Sequence, residues 1–175
     1  MSPAADVWSA SARSAKRLLD NSDAENLGFY AASAVRFLGP ALSTGRLALP
    51  ADGPVSWTAH ADLADVAAAV LADEGAFDGP TPPLTAPHAL TFDDIAAIAS
   101  EAAGRTTTRT TVSDDRFREQ MAGQGVPADA VDGLLSIFAA ARVGEFAAVD
   151  PTLATLIGRE PVTMGALLRE RLSGG

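Results

Sequence analysis

Apolar positions along this chain recur every three or four residues far more often than every second one, so the pattern predicts helices joined by Gly- and Pro-rich turns. Ser9 to Leu19 reads as a first helix with Arg13, Lys16 and Arg17 on its wet side, ended by the polar run Asp20 to Asn26. Gly28-Phe29-Tyr30 follows, and Ala31 to Leu42 predicts a second helix that Gly39-Pro40 should kink or interrupt. The clearest stripe is Leu63, Val66, Ala67, Val70 and Leu71, opened by Asp62 and closed near Gly75. Thr91-Phe92-Asp93-Asp94 has the spacing of a capping box, and the helix it starts should bury Ile95, Ile98, Ala99 and Ala102 before stopping at Gly104.

Four more helices complete the pattern. Ser113-Asp114-Asp115 caps one that runs to about Met121, with its acids at the positive end of the helix dipole. Pro127 opens the next, whose inner stripe is Val131, Leu134, Leu135 and Phe138. After the loop Gly144 to Asp150 and a short helix Pro151 to Ile157, Thr163 caps a last helix with Met164, Leu167, Leu168 and Leu172 inward. Strand signals are few and short: Gly45 to Leu49, Val55 to Thr58, Leu84 to Leu90, and the Thr-rich run Arg105 to Val112. The fold class expected is α+β, mainly helical with a few short strands.

Composition narrows this picture. Hydrophobic residues make up 47% of the 175 but aromatics only 6%, so the core must be built from Ala, Leu, Val and Ile. A net charge of −9 with scattered Lys and Arg argues against a nucleic-acid surface, which needs clustered cations. Zero cysteines exclude disulfides and thiolate chemistry. With two histidines and no His-x-x-x-His or calcium-loop pattern, no metal ligand set is visible. The strongest apolar run, Val66 to Ala72, is too short to span a bilayer, and no signal-peptide core follows Met1; a soluble cytoplasmic protein is the expectation.

Four stretches carry a family likeness. Gly28-Phe29-Tyr30 is similar to an Asn-Gly-aromatic-Tyr turn, and Trp57-Thr58-Ala59-His60-Ala61-Asp62-Leu63-Ala64 to a segment that opens a helix with an early aspartate. Leu90-Thr91-Phe92-Asp93-Asp94-Ile95-Ala96 matches a "Leu-Thr then helix" element. Leu156-Ile157-Gly158-Arg159-Glu160-Pro161-Val162-Thr163 matches a closing Leu-Ile-Gly-Arg-x-Pro-x-Thr. In this order they resemble the C-terminal half of the NmrA-like proteins, atypical short-chain dehydrogenases that include NAD(P)H:quinone reductases and redox-sensing regulators.

The resemblance implies the substrate side of a Rossmann-type reductase over residues 28–175, preceded by a divergent helix and linker over 1–27. It implies NADP or NAD as cofactor, a quinone or small carbonyl as acceptor, and a cleft lined by Gly28, Phe29, Tyr30, Thr58 and His60. The pattern is incomplete. No G-x-G-x-x-G or related glycine cluster is read in the chain, Leu27 stands where the family has Asn, and Ala34 stands where a Tyr-x-x-x-Lys pair would place its lysine. The chain is therefore expected to be inactive alone, needing a nucleotide-binding partner and tending to self-associate. A non-catalytic regulatory or interaction module is the alternative. A truncated product, an engineered piece and a relic put to another use all fit the pattern. Read without the family, Gly28-Phe29-Tyr30 is an aromatic turn seated on the core, Asp62 a helix-dipole acid, and Thr58 and His60 capping or solvated residues.

Overall fold

The computed structural model describes residues 29–72 and 82–174. The first predicted helix, the run Asp20 to Asn26, Gly28 and Gly75 lie outside the described residues. In chain order the elements are β1 (Phe29–Tyr30), α1 (Ala31–Thr44), β2 (Arg46–Pro50), β3 (Val55–Thr58) and α2 (His60–Ala72), then β4 (Ala89–Leu90), α3 (Phe92–Ala103) and β5 (Thr108–Val112). Four helices follow: α4 (Asp114–Gly123), α5 (Ala128–Arg142), α6 (Thr152–Ile157) and α7 (Met164–Ser173).

The strands form two small sheets. One has the order β1-β3-β4, with β1 parallel and β4 antiparallel to β3; the other pairs β2 with β5 in parallel, Arg46 opposite Thr108 through Pro50 opposite Val112. Helices α1, α3, α5 and α7 close over them around a core of Leu38, Trp57, Phe92, Ile95, Leu135, Phe138 and Leu168. Its aromatic centre is a chain of edge-to-face contacts, Phe29 on Trp57, Trp57 on Phe92 and Phe92 on Phe37. A smaller cluster of Val66, Val70, Leu84 and Leu153 joins α2 to α6.

Local chemistry explains most boundaries. Thr91 accepts from the Asp94 N–H while Asp94 accepts from the Thr91 N–H at 2.8 Å, the reciprocal box foreseen for α3. Ser113 and Thr163 cap α4 and α7 by the hydroxyl alone, accepting from the Arg116 and Ala166 N–H groups without a reciprocal bond. Helix α1 runs unbroken through Pro40, contrary to the expected interruption. Leu38 and Ala41 on either side of the proline are buried, and their packing offsets the missing backbone bond. The expected strand Leu84 to Leu90 shrinks to a bridge at Leu84 and the pair Ala89–Leu90, since Pro83 and Pro87 have no N–H to give a ladder. Leu71 and Leu172, expected inward, are 39% and 38% exposed, each in the last turn of its helix beyond the packed stripe.

The turn between β2 and β3 depends on Gly53. A Cβ there would lie 2.0 Å from the Ala141 carbonyl oxygen at the end of α5, a backbone atom with no room to yield. Gly53→Ala is expected to reduce unfolding free energy by about 1–3 kcal/mol, as overpacking does. Denaturant unfolding checks this.

The caps also set an acid response. The Thr91 hydroxyl, then its N–H, holds the Asp94 carboxyl below the usual range, and the Thr152 side chain, then its backbone N–H, does the same for Asp150. Both pKa values fall on folding. The stability they add is thus complete above the unfolded carboxylate range, about pH 4, and is lost as pH drops through the folded values. Asp94→Asn should cost about 1 kcal/mol at pH 7. The gap should narrow toward pH 2, which unfolding curves at both pH values measure.

Candidate functional site

The end of β1, the end of β3 and the start of α2 meet because β1 and β3 pair in parallel, Phe29 opposite Trp57 and Tyr30 opposite Thr58. That register brings Tyr30 to His60, two residues past the strand end. Their rings stack with centroids 4.3 Å apart and planes 18° from parallel. Tyr30 is 41% exposed and His60 is exposed, so the pair presents a phenol and an imidazole to solvent. Next to it, between α1, the start of α2 and the end of α7, opens a cleft of about 470 Å³ lined by Val35, His60, Leu167, Glu170 and Arg171 among others.

The other cleft residues foreseen from the sequence are placed differently. Phe29 is half-buried, its ring edge-on to Trp57 and, at 4.7 Å, to Phe146, so it seats the turn. Thr58 is fully buried, and its hydroxyl accepts from the Ala86 N–H at 3.1 Å. Ser56 donates to the Ala86 carbonyl at 3.3 Å, and the two hydroxyls staple β3 to the 84–86 segment. Gly28 lies outside the described residues.

Asp62 does more than answer a helix dipole. Its side chain is 1% exposed, receives Arg159 Nη1 at 2.7 Å, and accepts from the Val162 N–H at 2.8 Å. Arg159 also pairs with Asp65, one turn on along α2. Asp65 first and Asp62 second push the guanidinium pKa up. This clamp joins two of the four sequence stretches and holds the floor on which His60 stands. A second buried pair, Arg109 with Asp52 at 2.7 Å, ties β5 to the β2–β3 turn. Neither pair had a local sequence signal.

The described residues do not fit a dinucleotide. A pyrophosphate needs bare backbone between a strand and a helix N-terminus, and the β1–α1 junction carries Phe29, Tyr30 and Ala31 instead. The N-termini of α3, α4 and α7 are filled by their own capping side chains. One run overlooked in the sequence, Gly123-Gln124-Gly125-Val126-Pro127-Ala128, has G-x-G-x-x-A spacing. It joins helix α4 to helix α5 with no strand before it, so the geometry of a nucleotide turn is missing. Among the described residues no group of three or more His, Asp or Glu is placed to hold a metal, and no helix is long and apolar enough to cross a membrane.

No family model matches the chain. It is 29% identical to the NAD(P)H azoreductase of Xenophilus azovorans over 133 residues, covering 75% of this chain and 46% of that one. Against an NmrA-like family domain-containing oxidoreductase of Aspergillus flavus it is 29% identical over 150 residues, covering 83% and 48%. Among solved structures, the NADPH-dependent quinone oxidoreductase from Escherichia coli complexed with NADPH superposes with TM-score 0.75 at 25% identity, covering 83% of this chain and 51% of that one. The Citrobacter triphenylmethane reductase complexed with NADP(H) gives 0.69 at 25%, covering 81% and 48%. The chain thus spans about half the length of the curated relatives it matches.

Proposed function

We propose that this chain, similar to the C-terminal half of NmrA-like oxidoreductases, supplies the acceptor side of an NAD(P)H-dependent reductase. The acceptor is a quinone or small carbonyl compound, and its face is the Tyr30–His60 pair with the adjoining cleft. The observation that carries the reading is the exposed stack itself. Two near-parallel aromatic rings beside a cleft offer a flat conjugated acceptor a third layer. No pyrophosphate cradle is formed by the described residues, so NADPH would be held by a nucleotide-binding partner, and the chain on its own would bind acceptor without reducing it. NADPH supplies hydride when bound; what these residues do is stack, orient and shield the acceptor ring.

The test is calorimetric titration of the purified chain with 2-methyl-1,4-naphthoquinone and, separately, with NADPH, with the mass in solution measured on the same sample. The expected result is quinone binding that falls roughly tenfold in Tyr30→Ala, the loss of one stacked ring, with no NADPH oxidation. Micromolar NADPH binding with quinone reduction would replace this reading with a stand-alone enzyme. A folded dimer that binds neither would favour the regulatory or interaction module, which Ala34 in place of a lysine already supports.

A further inference from the structure

We infer that the cavity between α1, β2, α4 and α5 binds a compact aromatic anion, an aryl carboxylate or aryl sulfonate, clasped by Arg36 and Arg46 over an apolar floor. The cavity has a volume of about 680 Å³, the size of sites that enclose small organic ligands. It lies on the opposite side of α1 from the Tyr30–His60 cleft. Ser33, Arg36, Phe37 and Pro40 recur at helical spacing toward it, whereas Ala32 and Val35 line the cleft.

Charge gives the first half of the argument. In a chain of net charge −9, no Asp or Glu lines this cavity, while two guanidiniums do. Elsewhere among the described residues Arg109, Arg116, Arg118, Arg142 and Arg159 pair with carboxylates and Arg105 donates to the Ser43 carbonyl, while Arg169 and Arg171 on α7 have no ion pair. Arg36 and Arg46 form no ion pair among the described residues. Two cations from different elements that line one opening, with no carboxylate in its lining, make a local site for an anion.

The floor gives the second half. Phe37, Met121 and Leu134, over the buried Phe117, give the lining an aromatic ring, a thioether and an aliphatic side chain, surfaces that suit a flat ring and leave a small hydrated ion without partners. Inorganic phosphate is therefore a poor occupant, and an uncharged ring would leave the guanidiniums unused. Gln120 on α4 and Gln124, the residue that caps its C-terminal end, add amide donors and acceptors at the rim. The proposal does not rest on the reductase reading, because binding here needs neither nucleotide nor Tyr30.

The probe is 2-naphthalenesulfonate, titrated calorimetrically into the chain alone, with 2-naphthol as the uncharged comparison. The sulfonate is expected to bind roughly tenfold tighter than the naphthol, and Arg36→Gln or Arg46→Gln to remove most of that preference, in line with a charge-assisted contact each. Both arginines are exposed, so these variants should fold as the parent does. Gln124→Glu, which places a carboxylate at the rim, should weaken the sulfonate and spare the naphthol. Arg169→Gln, on α7 and off this lining, should change neither. Equal affinity for the two probes, no binding of the sulfonate, or Arg36→Gln and Arg46→Gln indistinguishable from Arg169→Gln would each overturn the assignment.

Discussion

Arg109→Leu is expected to remove about 3–5 kcal/mol of unfolding free energy, the loss that follows when one member of a buried ion pair is deleted. Arg109 enters from β5 with 5% of its side chain exposed, and Asp52 faces it with 6% exposed. The guanidinium also donates to the Pro50 carbonyl at 2.7 Å and reaches Asp93 at 2.8 Å. Leucine fills much of the space but strands the Asp52 carboxylate, which among the described residues keeps only the Phe92 N–H at 2.7 Å as a donor. The added variant Asp52→Asn should therefore restore part of the loss, since it removes the stranded charge and keeps an acceptor for Phe92. Urea unfolding of the single and double variants measures this. A single-variant loss no larger than that of Arg116→Leu, an exposed pair on α4, would show that the buried pair is not what anchors β5 to the β2–β3 turn.

Asp62→Ala is expected to cost about 3 kcal/mol, because it leaves the Val162 N–H without its acceptor and takes one carboxylate from Arg159. The loss stays below the upper end for buried pairs because Arg159 is 41% exposed and keeps Asp65. Asp62→Asn retains an oxygen for the Val162 N–H and should lose roughly half as much. Hydrogen exchange gives the site-resolved check: the Val162 amide should lose protection in Asp62→Ala and keep most of it in Asp62→Asn. Equal exchange in both would mean that solvent, not the carboxylate, already satisfies that amide.

The helices were readable because their determinants are local. The box Thr91–Asp94, the hydroxyl caps Ser113 and Thr163, and the stop at Gly45, where φ is 70°, all act within a few residues. The small sheets were less readable, since a strand of two residues such as β1 is defined by its partner and not by its own composition. Pro40 misled because propensity is outweighed where the flanking residues are packed. Of the cleft residues, Tyr30 and His60 were brought together by the parallel register of β1 and β3, which no single-strand pattern encodes. Thr58 alternates with neighbours that are also buried, so sidedness could not be inferred from its strand. The acids were the hardest. Asp62 sits where a helix dipole explains it fully, and only the tertiary fold reveals that its cation lies 97 residues away. The cavity flanked by Arg36 and Arg46 likewise has no sequence signature, because its walls come from four separate elements.

The distance between Asp62 and Arg159 also has a meaning in time. A ribosome adding about 5–20 residues each second needs roughly 5–20 s to carry the chain across that interval of 97 residues. Helix α2 is made before α6 and α7, with a carboxylate on its inner side and its cation still to come. In that interval α2 can coil and meet Leu84, but the Asp62 carboxylate has to stay hydrated until Arg159 and the Val162 N–H have been made.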